Sequence, residues 1–118
     1  MGSNSGENNV PDDVIVLEAD QAAGMLEDPQ SGARSYLIGA GGLFERKLFA
    51  SGVNAFSKVF ASMTEFAPED HNKPFLGGAV MTVHNVVPQD GGIVTIRADV
   101  GVPNTLNVKV SLFFYNGS

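Results

Sequence analysis

The side chains in this sequence that could do chemistry are two histidines, a scatter of serines and several carboxylates. His71 lies in "PEDHNKP" with Glu69 and Asp70. Imidazole and carboxylate together suit a hard cation or a transition metal. Neighbouring loop residues point in different directions, however, and the stretch lacks ligand spacing, so it reads as a polar surface loop. His84 sits in an alternating run beside Val80, Thr82 and Val86. That position fits a packed or interfacial histidine better than a catalytic one. Serines at 31, 35, 51, 57, 62 and 111 have no Gly-x-Ser-x-Gly elbow around them. "GAGG", residues 39–42, lacks the Gly-Lys-Ser/Thr of a phosphate loop and the spacing of a dinucleotide turn. It reads as a turn, or as a place where another backbone comes close. Asp12-Asp13 and Glu27-Asp28 are adjacent carboxylates of the kind that stay solvated, with no displaced pKa to exploit. The chain has no cysteine, which removes disulfides, thiolate metal sites and a thiol nucleophile. The expectation is a protein that is not an enzyme and needs no cofactor.

What remains is surface. The net charge is −6, and residues 1–30 hold seven acids and no base, while the rest of the chain is close to neutral. An acidic chain without a basic stripe argues against nucleic-acid binding. An acidic arm is suited to docking on a basic protein surface, or else serves as a solvated tail. No apolar run approaches the length of a membrane span. The start, "MGSNSGENNVPDD", has neither the basic nor the apolar block of a signal peptide and departs from the myristoylation pattern at Gly6.

The elements that must carry this surface are strands. Residues 1–13 read as an extended acidic arm and 14–118 as one domain. "VIVLEA", 14–19, and "RSYLIGA", 34–40, are strand candidates. "LFERKLFA", 43–50, fits either a strand buried on both faces or a short helix. Residues 53–63 carry apolar side chains near helical spacing, yet "SKVFASMTEF" also alternates, with Phe60, Ser62, Thr64 and Phe66 on one side. We read 57–66 as a strand. Residues 67–74 form a polar loop bounded by two prolines.

A meander follows. Ala79, Met81 and Val83 oppose Val80, Thr82 and His84; "VPQDGG" turns the chain; Val94, Ile96, Ala98 and Val100 share a face. "GVPNT" turns it again. In the last strand Leu106, Val108, Val110, Leu112 and Phe114 point inward and Asn107, Lys109 and Ser111 outward. Phe113 and Tyr115 share the outward parity, which suggests a subunit contact. Half-buried antiparallel strands need a second layer. No long helix is present to supply it, so the expected fold is all-β: an antiparallel, jelly-roll-like β-sandwich.

"FSKVFASMTEF", "AVMTVHNVVPQDGGIVTIRADV" and "LNVKVSLFFYN", within residues 56–116, resemble the small β-sandwich accessory proteins of bacteriophage virions. These are head-decoration (cement) proteins and fibre-tip domains, some of them similar to H-type lectins. The resemblance implies a homo-oligomer such as a trimer, attachment to a capsid shell or fibre, a virion location and no catalysis. The aromatic close here is Phe-Phe-Tyr, without the Trp frequent in lectin-like relatives, and no binding residues carry over. On this reading Asp12 and Asp13 contribute to the docking contact, and Phe113 and Tyr115 to the subunit contact. The alternative is a lectin-like module binding carbohydrate or another ligand through loops 67–74 and 88–92; a secreted or cytoplasmic location goes with it.

Overall fold

The computed structural model of the chain describes residues 14–15 and 30–117. The arm at 1–13, with Asp12 and Asp13, lies outside the described residues, as does most of the strand expected at 14–19. Among the described residues eight strands follow one another: β1 (Val14–Ile15), β2 (Ser31–Ala40), β3 (Leu43–Phe49), β4 (Lys58–Ala67), β5 (Lys73–Phe75), β6 (Thr82–Gln89), β7 (Ile93–Asp99) and β8 (Leu106–Tyr115). They form two four-stranded sheets. Sheet I runs β1-β3-β7-β6 and sheet II runs β2-β8-β4-β5. All pairings are antiparallel except the two-residue contact of β1 with β3. β2 pairs with β8, and β3 pairs with β7. This nesting of early strands onto late ones, on alternate sheets, is the wrapping of a jelly roll, and the fold is the β-sandwich expected.

Alternation explains the packing. On β7 and β8 the residues assigned inward are the buried ones: Val94, Ile96, Val108 and Val110 are fully inaccessible, and Leu112 and Phe114 nearly so. Tyr36, Ile38 and Leu48 complete the same core from β2 and β3. Each such side chain contributes about 1.5–3 kcal/mol through burial, which is how a cysteine-free domain of this size holds two sheets together.

Two devices tie the layers. Between β2 and β3 the chain changes sheets through Gly41-Gly42. Gly42 has φ +61, and a Cβ on Gly41 would lie 2.5 Å from the Asn104 carbonyl oxygen and 2.6 Å from that of Pro103. The corner is sealed by Gly42 N–H to Val102 O at 2.7 Å and Val100 N–H to Gly42 O at 2.9 Å. The close backbone approach expected for "GAGG" is therefore real. The second tie is Tyr36, whose hydroxyl donates to the Phe49 carbonyl at 2.5 Å, from sheet II to sheet I. Burial pushes this phenol up to about 12, against the opposing influence of the Arg34 charge.

The structure settles what the pattern left open and corrects it in places. Residues 43–49 are a strand, and 58–67 are too; the only helical element among the described residues is the single 3-10 turn Pro68–Asp70. The loop expected at 67–74 contains the start of β5, an edge strand in which Pro74 is tolerated because nothing pairs beyond it. Hairpin pairing of β6 with β7 slips between Val83 and Asn85, leaving His84 as the extra residue of a bulge. Val86 consequently turns toward the core while His84 is exposed. The two do not share a face as a strict period of two would have it.

Candidate interaction surface

Strand β8 lies in the middle of sheet II between β2 and β4, so register builds its outer face in rows. Ala33, Phe113 and Phe60 lie side by side; one step toward the strand middle come Ser35, Ser111 and Ser62; one step the other way come Ser31, Tyr115 and Lys58. Directly opposed residues lie within about 5.5 Å of one another, so each row is one continuous strip. Phe60 is 67% exposed, Phe113 47% and Tyr115 42%. Between the aromatic strip and the serine strip lies a shallow depression of about 400 Å³, lined by Ala33, Ser35, Phe60, Ser62, Ser111 and Phe113. Among the described residues none of these three serine hydroxyls is hydrogen-bonded to another protein group. The outward positions of β2, β8 and β4 include Lys58 and Lys109 and no carboxylate.

Local chemistry fixes this patch. The chain leaves β3 through a turn at 51–57 that is braced by hydrogen bonds. Ala55 N–H donates to Asp90 Oδ1 at 2.9 Å, Asn116 Nδ2 to Gly52 O at 2.9 Å, and the Ser57 hydroxyl to Asn116 Oδ1. Lys58 Nζ donates to Gly117 O at 3.0 Å. These bonds pin the end of β8 that carries Phe113 and Tyr115. At the other end of the same face, Lys109 Nζ donates to Asn72 O at 3.3 Å, which draws the turn after β4 against the sheet, and Phe66 is only 7% exposed. The open apolar patch is thus confined to one end.

The outer face of sheet I differs. Its middle row is Glu45, Arg97 and Asn85. Arg97 donates from Nε and Nη2 to Glu45 Oε2 at 2.7 Å each, and more loosely from Nη1 to Asn85 Oδ1 at 3.5 Å. Thr95 donates to Gln89 Oε1 at 2.6 Å. The middle row of this face satisfies itself, although Leu43 and Val87 are exposed on it.

Among the described residues, those first considered for chemistry do not assemble. His71 is exposed and stands 3.7 Å from its neighbour Asp70. Among the described residues no three His, Asp or Glu side chains converge as a metal site would require. Loop 67–74 lies at the end of the sandwich where Ala67 meets Lys73, whereas the turn after Gln89 lies at the opposite end with Phe49 and Ile93. The two loops of the lectin-like alternative therefore cannot form one site. Among the described residues no helix is long and apolar enough to cross a membrane.

Phe113 and Tyr115 are where their parity placed them, on the outer face. Phe60 and the serine strip were not singled out as part of that surface, although Phe60, Ser62 and Thr64 had been grouped on one side of a strand. Only the register of β4 and β2 against β8 brings them to Phe113. The sequence also did not signal the segment after β5, where Leu76 is 97% and Val80 79% exposed. Comparison with family models, curated proteins and solved structures finds no match for this chain.

Proposed function

We propose that this protein is a non-enzymatic structural interaction protein, an accessory of a virion in the manner of capsid decoration or fibre proteins, which self-associates and docks on a larger protein assembly. The observation that carries the reading is the contiguous aromatic strip of Phe60, Phe113 and Tyr115 on the outer face of sheet II. Apolar side chains grouped on one face, beside hydroxyls with no partner among the described residues, are the makings of a protein contact. The acidic segment, including Asp12 and Asp13, supplies the docking contact to a basic surface on the assembly. The virion assignment rests on the resemblance in residues 56–116.

The test is mass in solution, by light scattering on a sizing column, for the intact chain, for the Phe113→Ser/Tyr115→Ser variant and for a chain lacking residues 1–13. The proposal expects an oligomer that the double variant dissociates, and an arm deletion that keeps the oligomer but loses attachment to capsids or fibres. A monomeric intact chain at high concentration overturns the self-association. Full attachment without residues 1–13 overturns the arm's role. Sugar-specific signals on a glycan array that vanish on altering either loop would favour the lectin-like alternative instead.

A further inference from the structure

A sheet edge presents a row of unpaired backbone donors and acceptors, and most proteins blunt it. Among the described residues three of the four sheet edges are blunted. β1 is two residues long, β5 is three residues long with Pro74 inside it, and β6 carries the His84 bulge and Pro88. β2 is different: ten residues, no proline, no bulge and no acid. Its orientation follows from the register. Gln30 accepts from the Asn116 N–H at 2.7 Å, so even-numbered residues of β2 bond to β8 and odd-numbered ones turn their N–H and C=O to the open edge. Two guanidiniums cover part of that edge. Arg34 Nη1 donates to Ala33 O and Arg46 Nη2 to Gly39 O, both at 3.0 Å. Between them the N–H and C=O of Ser35 and Leu37 have no partner among the described residues.

We propose that this window pairs with the same window of a second copy, antiparallel, about a two-fold axis opposite Tyr36. Ser35 then faces the partner's Leu37 and Leu37 the partner's Ser35, and each pair exchanges two N–H···O bonds. The covered carbonyls, Ala33 and Gly39, stand at equal distances on either side of Tyr36, so the free window is itself symmetric. That symmetry favours a second copy over an unrelated strand. Pairing joins the two copies of sheet II into one continuous sheet, with both aromatic strips on its outer side. It adds to the self-association proposed above, but its atoms are those of an edge and not of a face, so either contact can fail alone.

The test is a dilution series of the full ¹⁵N-labelled chain between about 1 mM and about 20 μM, a span suited to a contact this small. The proposal expects amide shifts at Ser35 and Leu37 that move with concentration and exceed those at Tyr36 and Ile38, which already bond to β8. It expects Leu37→Pro to weaken association at least tenfold and Phe113→Ser to leave the edge shifts in place. Because proline disturbs β2 if its φ does not suit, a second variant is needed. Ser35→Cys/Leu37→Cys, in a chain without other cysteines, should give a covalent dimer in a mildly oxidising buffer, since the paired Cα atoms would lie within disulfide reach. Amides of Ser35 and Leu37 that stay still at every concentration, or absence of the covalent dimer, overturns the proposal.

Discussion

The two outer faces of this sandwich are built from the same strand pattern and end with opposite chemistry. On sheet I the exposed row Glu45, Arg97, Asn85 is joined by hydrogen bonds, and Thr95 is bonded to Gln89. On sheet II the equivalent rows put Phe113 against Phe60 and Ser111 against Ser35 and Ser62, with none of these hydroxyls bonded to another group among the described residues. On the function proposed above, polar-out alternation does not by itself mark a face for contact; what marks it is whether its side chains satisfy one another. A face that closes its own hydrogen bonds gains little from a partner. A face with half-exposed rings and unused hydroxyls gains both apolar burial and new hydrogen bonds.

Both faces depend on the frame beneath them, and the largest predicted effects test that frame. Gly41→Ala places a Cβ against two backbone carbonyl oxygens, at 2.5 and 2.6 Å, so the backbone must shift. We expect a loss of about 3 kcal/mol in stability, measured by urea unfolding, with both faces failing together. Next comes Tyr36. Its phenol is held neutral in the folded state with its pKa raised to about 12, against about 10 unfolded. The associated stability is complete below pH 10 and is lost as the pH climbs from 10 through 12, because the unfolded chain ionises first. The intact protein should lose about 2–3 kcal/mol across that window. Tyr36→Phe should start less stable by about 1 kcal/mol, through the lost bond to Phe49 O, and show a shallower alkaline decline. Equal slopes for the two proteins would remove the phenol from the account.

Much of this frame was legible in the sequence. Strict alternation in 93–100 and 106–115 named the inward residues, and they are the core. "GAGG" read as a turn or a close backbone approach, and the chain uses it for both, with Gly42 at positive φ and Gly41 against two carbonyl oxygens. Where legibility failed, the cause was register or irregularity. A bulge at His84 shifts the parity of all that follows in β6, and nothing in "TVHNVV" marks it. β5 was hidden by Pro74, which argues against a strand except at an edge. Surface rows were the least legible part. Parity says that Phe113 faces out, yet only the pairing of β4 and β8 says that Phe60 stands beside it. The acidic segment with Asp12 and Asp13 lies outside the described residues, so its part in docking stays with the experiment.

A sharper test of the comparison uses two residues of nearly equal exposure on opposite faces, Phe113 at 47% and Val87 at 48%. If apolar exposure alone drove self-association, serine at either position would weaken it alike. If the grouped aromatic strip drives it, Phe113→Ser should weaken association about tenfold, roughly 1.4 kcal/mol, and Val87→Ser should leave it unchanged. Sedimentation at several concentrations reads both. Equal effects would dissolve the distinction between the faces.

The smallest predicted effect lies on the self-satisfied face. The Arg97–Glu45 pair has good geometry, with two donors to one oxygen at 2.7 Å, but both side chains are more than half exposed. Exposed pairs of this kind contribute about 0.5 kcal/mol, because water and salt screen the attraction and two long side chains lose freedom in making it. Arg97→Ala should therefore lower stability by about 0.5 kcal/mol in dilute buffer, by less at high salt, and leave association untouched. The direction on association is the informative part. Removing Arg97 frees the Glu45 carboxylate and the Asn85 amide at once, turning a closed row into an open polar one that water alone must satisfy. If that variant began to bind the protein's partners, unused hydrogen-bonding capacity would suffice to make a contact face, and the aromatic strip of sheet II would lose its special standing.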